Sequence, residues 1–488
     1  MLSYLKLAII NIGGLLVTPY IIKMLGDEEY GLYTLIGAFV GYLSILDLGL
    51  NNAIVRYVAQ YRAEKNQKAE ENFLAISLLI YISVGILLVI LGSIFYFNVE
   101  VLFGDTLDAA QLDKARLMLL VLIINIGFTL PGGAFTGICT GYEAFVFPRW
   151  LSIIKYVMRV ILIVAILNLG ADALGIVILD TLLNLALIIV TVWFVFYKLR
   201  VRIKLHQFEL TFVREIFGYS IWIFIFGLVY QFQWRTGQVI LGTHLSTVTV
   251  AIYGIGVMLG IYFTTFGNII NQLILPRAVK SVYYNSSSEK ITNECIQVGR
   301  VSLVVMLYAY GAFFILGESF IINWIGETYK NSYWIALLIM TTYILHLSQG
   351  YLHAILDAKK ILKFKTLSFL IASVLGTIIG GLLSYRYGEL GMITGVSFAL
   401  CILYWIVMNI YYYNILKIDI KKVLFKFSTY FIIAIVVIII SIIIMMNISI
   451  SEDWGGLIVK GVIYSTIFVL LMSIKKSNRL LIKKIIER

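Results

Sequence analysis

Long apolar runs, each bounded by a short charged segment, recur from one end of the chain to the other. A run of roughly 18 or more apolar residues is long enough to cross a bilayer as a helix. In lipid, only helices and closed barrels satisfy every backbone N–H and C=O group. The strand-like alternation at about ten-residue spacing that marks a barrel is absent, so the runs are read as helices. With 488 residues, and roughly 20 residues per span plus short connections, there is room for about fourteen. Composition agrees: 61% of residues are hydrophobic and 13% charged, against about 45–50% and about 25% in soluble domains. A soluble enzyme and a disordered protein are both excluded. The expected fold is an all-α polytopic membrane protein with about 14 transmembrane helices.

The charges test that count. With the N-terminus inside, the inner segments hold Arg56, Arg62, Lys65 and Lys68, then Lys198, Arg200, Arg202, Lys204 and Arg214. Lys359, Lys360, Lys363 and Lys365 follow, and then Lys417, Lys421, Lys422 and Lys426. Outer segments hold Asp27, Glu28, Glu29, Glu100, Asp105, Asp172, Glu318, Glu327, Glu452 and Asp453, with few cations. Lys and Arg flanking the spans set orientation, and one missed helix would invert the pattern downstream. Both termini are therefore expected in the cytoplasm. The net charge of +12 would suggest nucleic acid in a soluble chain. Here the cytoplasmic loops account for it, and no nucleic-acid partner is expected. The basic tail, 475–488, is read either as a short amphipathic helix on the inner membrane surface or as a frayed solvated tail.

A faint internal repeat divides the spans. Leu25-Gly26, Tyr33, Asn51 and Arg56 in the first half match Leu241-Gly242, Tyr253, Asn271 and Arg277 in the second. This predicts two six-helix lobes, 1–200 and 210–415, followed by two further helices over 427–474. Repeat-built lobes around a midplane site are a common transporter plan.

Intramembrane charge is costly and marks function. Ser152, Lys155 and Arg159 share one face of the fifth helix, and Arg159 lies about 16 Å in from Pro148, near the midplane. The seventh helix carries Gln231, Arg235 and Gln238 on one face, and the ninth carries Arg300 near its inner end. The deep carboxylates are Asp47 and Asp180, with Asn51 and Asn184 a turn further on. Each can pair with a cavity arginine or take up H+ or Na+, so both are candidates for ion coupling. The deep charges lean cationic, which suits an anion, and arginine matches phosphate geometry.

No metal or cofactor is expected. His346 and His353 stand seven residues apart on one stripe of the tenth helix, about 10 Å, too far to share a metal. Cys139, Cys295 and Cys401 lack metal-ligand spacing and form no disulfide framework. No phosphate-binding GxxxxGK[ST] loop occurs, nor a nucleophile elbow or zinc-protease motif. Transport would run on a gradient or the membrane potential.

The segments Leu25-Gly26-Asp27-Glu28-Glu29-Tyr30-Gly31-Leu32-Tyr33, Leu46-Asp47-Leu48-Gly49-Leu50, Arg56-Tyr57-Val58-Ala59 and Glu71-Asn72-Phe73 resemble the polysaccharide flippase family. That family lies in the multidrug/oligosaccharidyl-lipid/polysaccharide exporter superfamily. Leu241-Gly242, Ala251-Ile252-Tyr253 and Leu275-Pro276 look like its second-lobe counterpart. The resemblance implies a V-shaped pair of six-helix lobes around a cationic cavity in the bacterial cytoplasmic membrane. It also implies that undecaprenyl-diphosphate-linked glycan is moved to the outer leaflet, with membrane lipid, a polysaccharide polymerase and glycosyltransferases as partners. On that reading Arg159, Arg235, Lys155, Arg300 and Arg56, with Gln231 and Gln238, meet the substrate. Many relatives carry an acid just before the leucine-glycine of the seventh helix, where this chain has Gly237 beside Arg235 and Gln238. Coupling through that acid does not carry over. A peptidoglycan-precursor flippase shares the diphosphate substrate and stays open. A multidrug antiporter fits the charge balance poorly, and a membrane polymerase usually needs a large outer loop, whereas the longest here has about fifteen residues.

Overall fold

The computed structural model describes residues 2–44, 50–208, 224–272 and 274–473. Among them every regular element is helical. In chain order these are α1 (Leu2–Leu25), α2 (Asp27–Ser44), α3 (Leu50–Ala63), α4 (Gln67–Phe97), α5 (Val99–Phe103), α6 (Ala109–Gly141), α7 (Val146–Asn168) and α8 (Ala173–Trp193), the last extended by a π turn, Phe194–Lys198. A helical stretch over 224–234 leads into α9 (Thr236–His244), followed by α10 (Thr247–Gln272), α11 (Leu275–Tyr283), α12 (Ser288–Ile325), α13 (Ser332–Ser348) and α14 (Gly350–Ala358). The chain continues through α15 (Lys363–Cys401), a π stretch Ile402–Val407, α16 (Met408–Leu416), α17 (Ile420–Met446) and α18 (Trp454–Ser473).

Among the described residues nine helices are by themselves long and apolar enough to cross a membrane, and the bent pair α13–α14 makes a tenth. One of the nine, Lys363–Leu416, has 54 residues, far beyond the roughly 20 that span a bilayer. It is two spans. Gly388 adopts φ 58, ψ −140, which breaks the helix and reverses its direction. The two arms then run back along each other. A side chain at Gly395 would collide with the Gly380 backbone, and one at Gly376 would meet the Val396 Cα at 3.0 Å. Among the described residues the expected spans thus fall on helices. The second (α2 with α3) and the seventh (ending in α9) also run through residues outside the described set. The protein is a multi-pass membrane protein. Large apolar side chains such as Ile86, Ile90, Ile435 and Ile439 are exposed along these spans, as lipid contact requires.

Polar residues start the helices where the chain leaves lipid. The Asn66 side chain accepts from Ala69 N at the start of α4. Asp108 and Gln111 form a reciprocal capping box on α6, and Asp172 caps α8 through Gly175 N. Such caps satisfy backbone donors that a helix leaves unpaired.

The chain divides into two compact units, residues 1–251 and 252–488. In the first, α6 is the hub, packed against α2, α3, α4 and α8. In the second, α12 packs against α13, α17 and α18. The stretch Gln231–His244 belongs to the first of these units, where Gln231 Nε2 donates to Gly41 O at 2.6 Å and Thr106 Oγ1 to Gly242 O at 2.7 Å. Local features still recur between the halves. A Cβ on Gly137 of α6 would meet Asn51 Oδ1 at 2.8 Å, and one on Gly350 of α14 would collide with the Asn271 side chain. A π turn ends α8, and another follows α15. Asp47 and the tail 475–488 lie outside the described residues.

Candidate functional site

A polar network crosses four helices of the first unit. On α7, Arg159 faces Asp180 of α8 with both arms of its guanidinium. Nε lies 2.5 Å from Oδ1, and Nη2 lies 2.9 Å from Oδ2. The same Nη2 donates to the Tyr33 hydroxyl of α2 at 3.2 Å. One turn earlier on α7, Lys155 Nζ donates to Asn184 Oδ1 at 2.9 Å. The Asn184 amide in turn donates to Asn125 Oδ1 and Thr129 Oγ1 of α6. Between apolar stripes, side chains at i and i+4 share a helix face. That places Lys155 above Arg159, and Asp180 beside Asn184.

The Arg159 and Asp180 side chains are about three-quarters buried, with 24% and 27% of their surface exposed. The fork-to-carboxylate geometry gives the pair orientation as well as attraction. Of the two readings open for Asp180, the structure shows the ion pair. Asp180 thus balances the charge of Arg159.

Arg235 does not sit mid-helix as its spacing predicted. The helix over 224–234 stops there, Arg235 takes φ −122, ψ −37, and α9 restarts at Thr236. The break is one residue long, and Gln231 and Arg235 still meet the same residue of α2, Gly41. The Arg235 stem packs on Gly41 of α2, whose added Cβ would lie 3.4 Å from its Cγ. Among the described residues the Arg235 guanidinium has no ion pair. Gln231 Oε1 and Gln238 Oε1 are buried with no hydrogen bond among the described residues. Broken helices with loose polar groups are how transporters of other folds build substrate sites at membrane depth.

The remaining predicted residues make none of the network's hydrogen bonds among the described residues. Arg56 is exposed on α3, 5.6 Å from the Tyr57 ring centroid. Arg300 belongs to the second unit on α12, where its Nε is buried without a hydrogen bond among the described residues.

The second unit corrects the histidine expectation. The His346 and His353 rings are not 10 Å apart; their centroids are 4.3 Å apart. The tenth span is broken at Gln349, and α13 and α14 meet at a 55° bend that folds one ring onto the other. Gln349 Nε2 donates to Asn409 Oδ1 at 2.7 Å and holds the break. The Tyr412 hydroxyl contacts the His353 ring, and Tyr404 lies 4.2 Å from His346. Among the described residues no group of three or more His, Cys, Asp or Glu converges as a metal site would require.

Sequence reasoning missed Tyr33 as a partner of Arg159. It is one of 32 tyrosines, so its type alone gave no signal. Its place in the repeat, matched to Tyr253, was the available clue.

The fold has known counterparts. The lipid II flippase MurJ, in an inward closed conformation, superposes with TM-score 0.74 over 97% of both chains at 14% identity. An inward-facing multidrug resistance MATE family transporter of the MOP superfamily gives 0.62 at 14% identity, over 83% of this chain and 99% of that one. At such identity the likeness speaks for the fold. Together with the run of apolar helices, it defines the fold class, that of polytopic all-helical membrane proteins. Residues 2–282 match the family described as polysaccharide biosynthesis protein, and the chain belongs to that family. A 118-residue stretch is 33% identical to the uncharacterized membrane protein EpsK of Bacillus subtilis (strain 168), covering 23% of this chain and 22% of that protein.

Proposed function

We propose that the protein is a flippase for undecaprenyl-diphosphate-linked oligosaccharide, moving repeat units across the bacterial cytoplasmic membrane during surface polysaccharide synthesis. The observation that carries the reading is the first-unit network in a chain of the polysaccharide biosynthesis family. Arg235 stands without a counter-charge among the described residues, and Lys155 and Arg159 follow on one face of α7. A diphosphate needs at least two cationic donors at membrane depth, and these supply them. The amides and hydroxyls of Asn125, Thr129 and Asn184 suit sugar hydroxyls. Arg159 becomes available when Asp180 lets go of it. Protonation of Asp180, or exchange of its carboxylate for the phosphate, would do this, and gives the site a way to couple release to H+.

Surface polysaccharide in cells whose only flippase is the variant provides the test. The Arg159→Ala, Arg235→Ala double variant should lose nearly all export, with its membrane level checked by blot because Arg159→Ala leaves Asp180 without its partner. Arg235→Lys should retain part of the activity, keeping charge but losing the planar fork. Normal export by the double variant would overturn the anionic-lipid reading. Growth rescue of cells lacking their peptidoglycan-precursor flippase separates that neighbouring activity.

A further inference from the structure

Outside the network, each unit holds a polar cavity of the same construction. In the first unit a cavity of about 270 Å³ is lined by Arg62, Lys65, Arg200 and Arg202, with Glu70 and Tyr142 among its walls. The Tyr142 hydroxyl donates to Glu70 Oε1 at 2.6 Å, and Glu70 is 7% exposed. Arg62 lies over the Tyr142 ring, 4.0 Å from its centroid. In the second unit a cavity of about 360 Å³ is lined by Arg277, Lys280 and Lys290, again beside a carboxylate–tyrosine pair, Glu294 and Tyr351. None of these seven cations forms an ion pair among the described residues. Cations exceed carboxylates in both, since Glu70 and Glu71 stand against four cations in the first and Glu294 against three in the second.

The position says what kind of anion would come. Both cavities open at the first turns of a long span, α4 in one unit and α12 in the other. Aromatic side chains flank them: Tyr57, Tyr61 and Phe73 cluster beside the first, and Tyr283 and Tyr284 stand 79% and 72% exposed beside the second. Tyrosines gather where a membrane's headgroups lie, and basic pockets between spans at that depth bind phosphate headgroups. We propose that each cavity binds the phosphate headgroup of a membrane lipid. Its arginines and lysines would take the phosphate, and its carboxylate–tyrosine pair would take hydroxyls carried by the headgroup. A glycerol phosphate and a sugar phosphate both have that pattern. The proposal does not depend on what the transporter moves.

The test is binding to the purified full-length chain, read by native mass spectrometry after delipidation. Phosphatidylglycerol should bind at least about tenfold more tightly than phosphatidylcholine, since each cation near a headgroup contributes about 1 kcal/mol. Arg62→Gln with Arg202→Gln should weaken about half of the bound lipid roughly tenfold, and Arg277→Gln with Lys280→Gln the other half. Lys65→Gln with Arg200→Gln, both at exposed positions, repeats the first measurement should the Arg62 variant fold poorly. Undecaprenyl phosphate identifies the source. If it displaces phosphatidylglycerol, the polyprenyl carrier is the ligand, and if it does not, bulk phospholipid is. Variants that bind phosphatidylglycerol like the unmodified protein, or equal binding of the two phospholipids, would overturn the proposal.

Discussion

At the scale of the residue, the Arg159–Asp180 pair decides how the site works. Its geometry is two-pronged, and about a quarter of each side chain is exposed. Taking two charges out of water offsets much of what their attraction gains, so such a pair is weak evidence of net stabilisation. Its retention inside a span therefore calls for a functional reason. Asp180→Asn keeps an acceptor for Arg159 and removes the titrating group. The expected outcome is a loss of thermal stability, and export that no longer responds to external pH. Glycan export measured between pH 5.5 and 8 checks it. Unchanged pH dependence in this variant would remove Asp180 from coupling and leave Asp47, the membrane potential or the substrate's own gradient.

At the scale of the element, what holds helices in place is concentrated at turns and close approaches. Lys114 of α6 ties Glu29 of α2 at 2.8 Å to Asp172 at the start of α8 at 2.9 Å. Burial raises the Asp172 pKa, but the ammonium of Lys114 and the Gly175 N–H outweigh it and hold the carboxyl below its ordinary value. A lowered folded pKa stabilises above the unfolded value. This contribution is thus complete above about pH 4 and is lost as pH falls through the lower folded value. Lys114→Met should cost about 1 kcal/mol or less at neutral pH, and the difference from the unmodified protein should vanish in acid, as read by melting in detergent. The α15 hairpin should be less forgiving. Gly395→Val presses a side chain into the Gly380 backbone, an overpacking of about 1–3 kcal/mol or more, visible as a lower melting temperature. Spans of this kind were legible in the sequence because lipid imposes apolarity locally, residue by residue. The breaks at Arg235 and Gln349 were not. Neither lies at a proline, and the Gln349 break is held by Asn409, sixty positions away. For the same reason Arg159 and Asp180 were each legible as charges out of place, but their pairing across two helices was not, nor was the contact of the two histidine rings.

At the scale of the whole molecule, the claim with most consequences is orientation. The cation-rich segments alternate with acid-rich ones along the chain, and cations near the spans set which side faces the cytoplasm. Asp105, Glu327, Lys68 and Lys204 are all exposed, so a cysteine at any of them is reachable by a reagent on its own side. The native thiols interfere little, since Cys139 and Cys295 are buried and Cys401 is half-buried. One crossing separates 68 from 105, three separate 105 from 204, and three more separate 204 from 327 on the expected path, so each neighbouring pair of probes lies on opposite faces. A membrane-impermeant maleimide should label Asp105→Cys and Glu327→Cys in intact cells. It should label Lys68→Cys and Lys204→Cys only after permeabilisation. Reversal of all four would invert the molecule and move both basic cavities to the outer leaflet. Agreement at 68 and 105 with reversal at 327 would instead mean an error of one crossing in the intervening stretch, where 209–223 lie outside the described residues. Because the seventh span runs through that stretch, Lys204 and Glu327 are the pair whose labelling tests the fourteen-span path most directly.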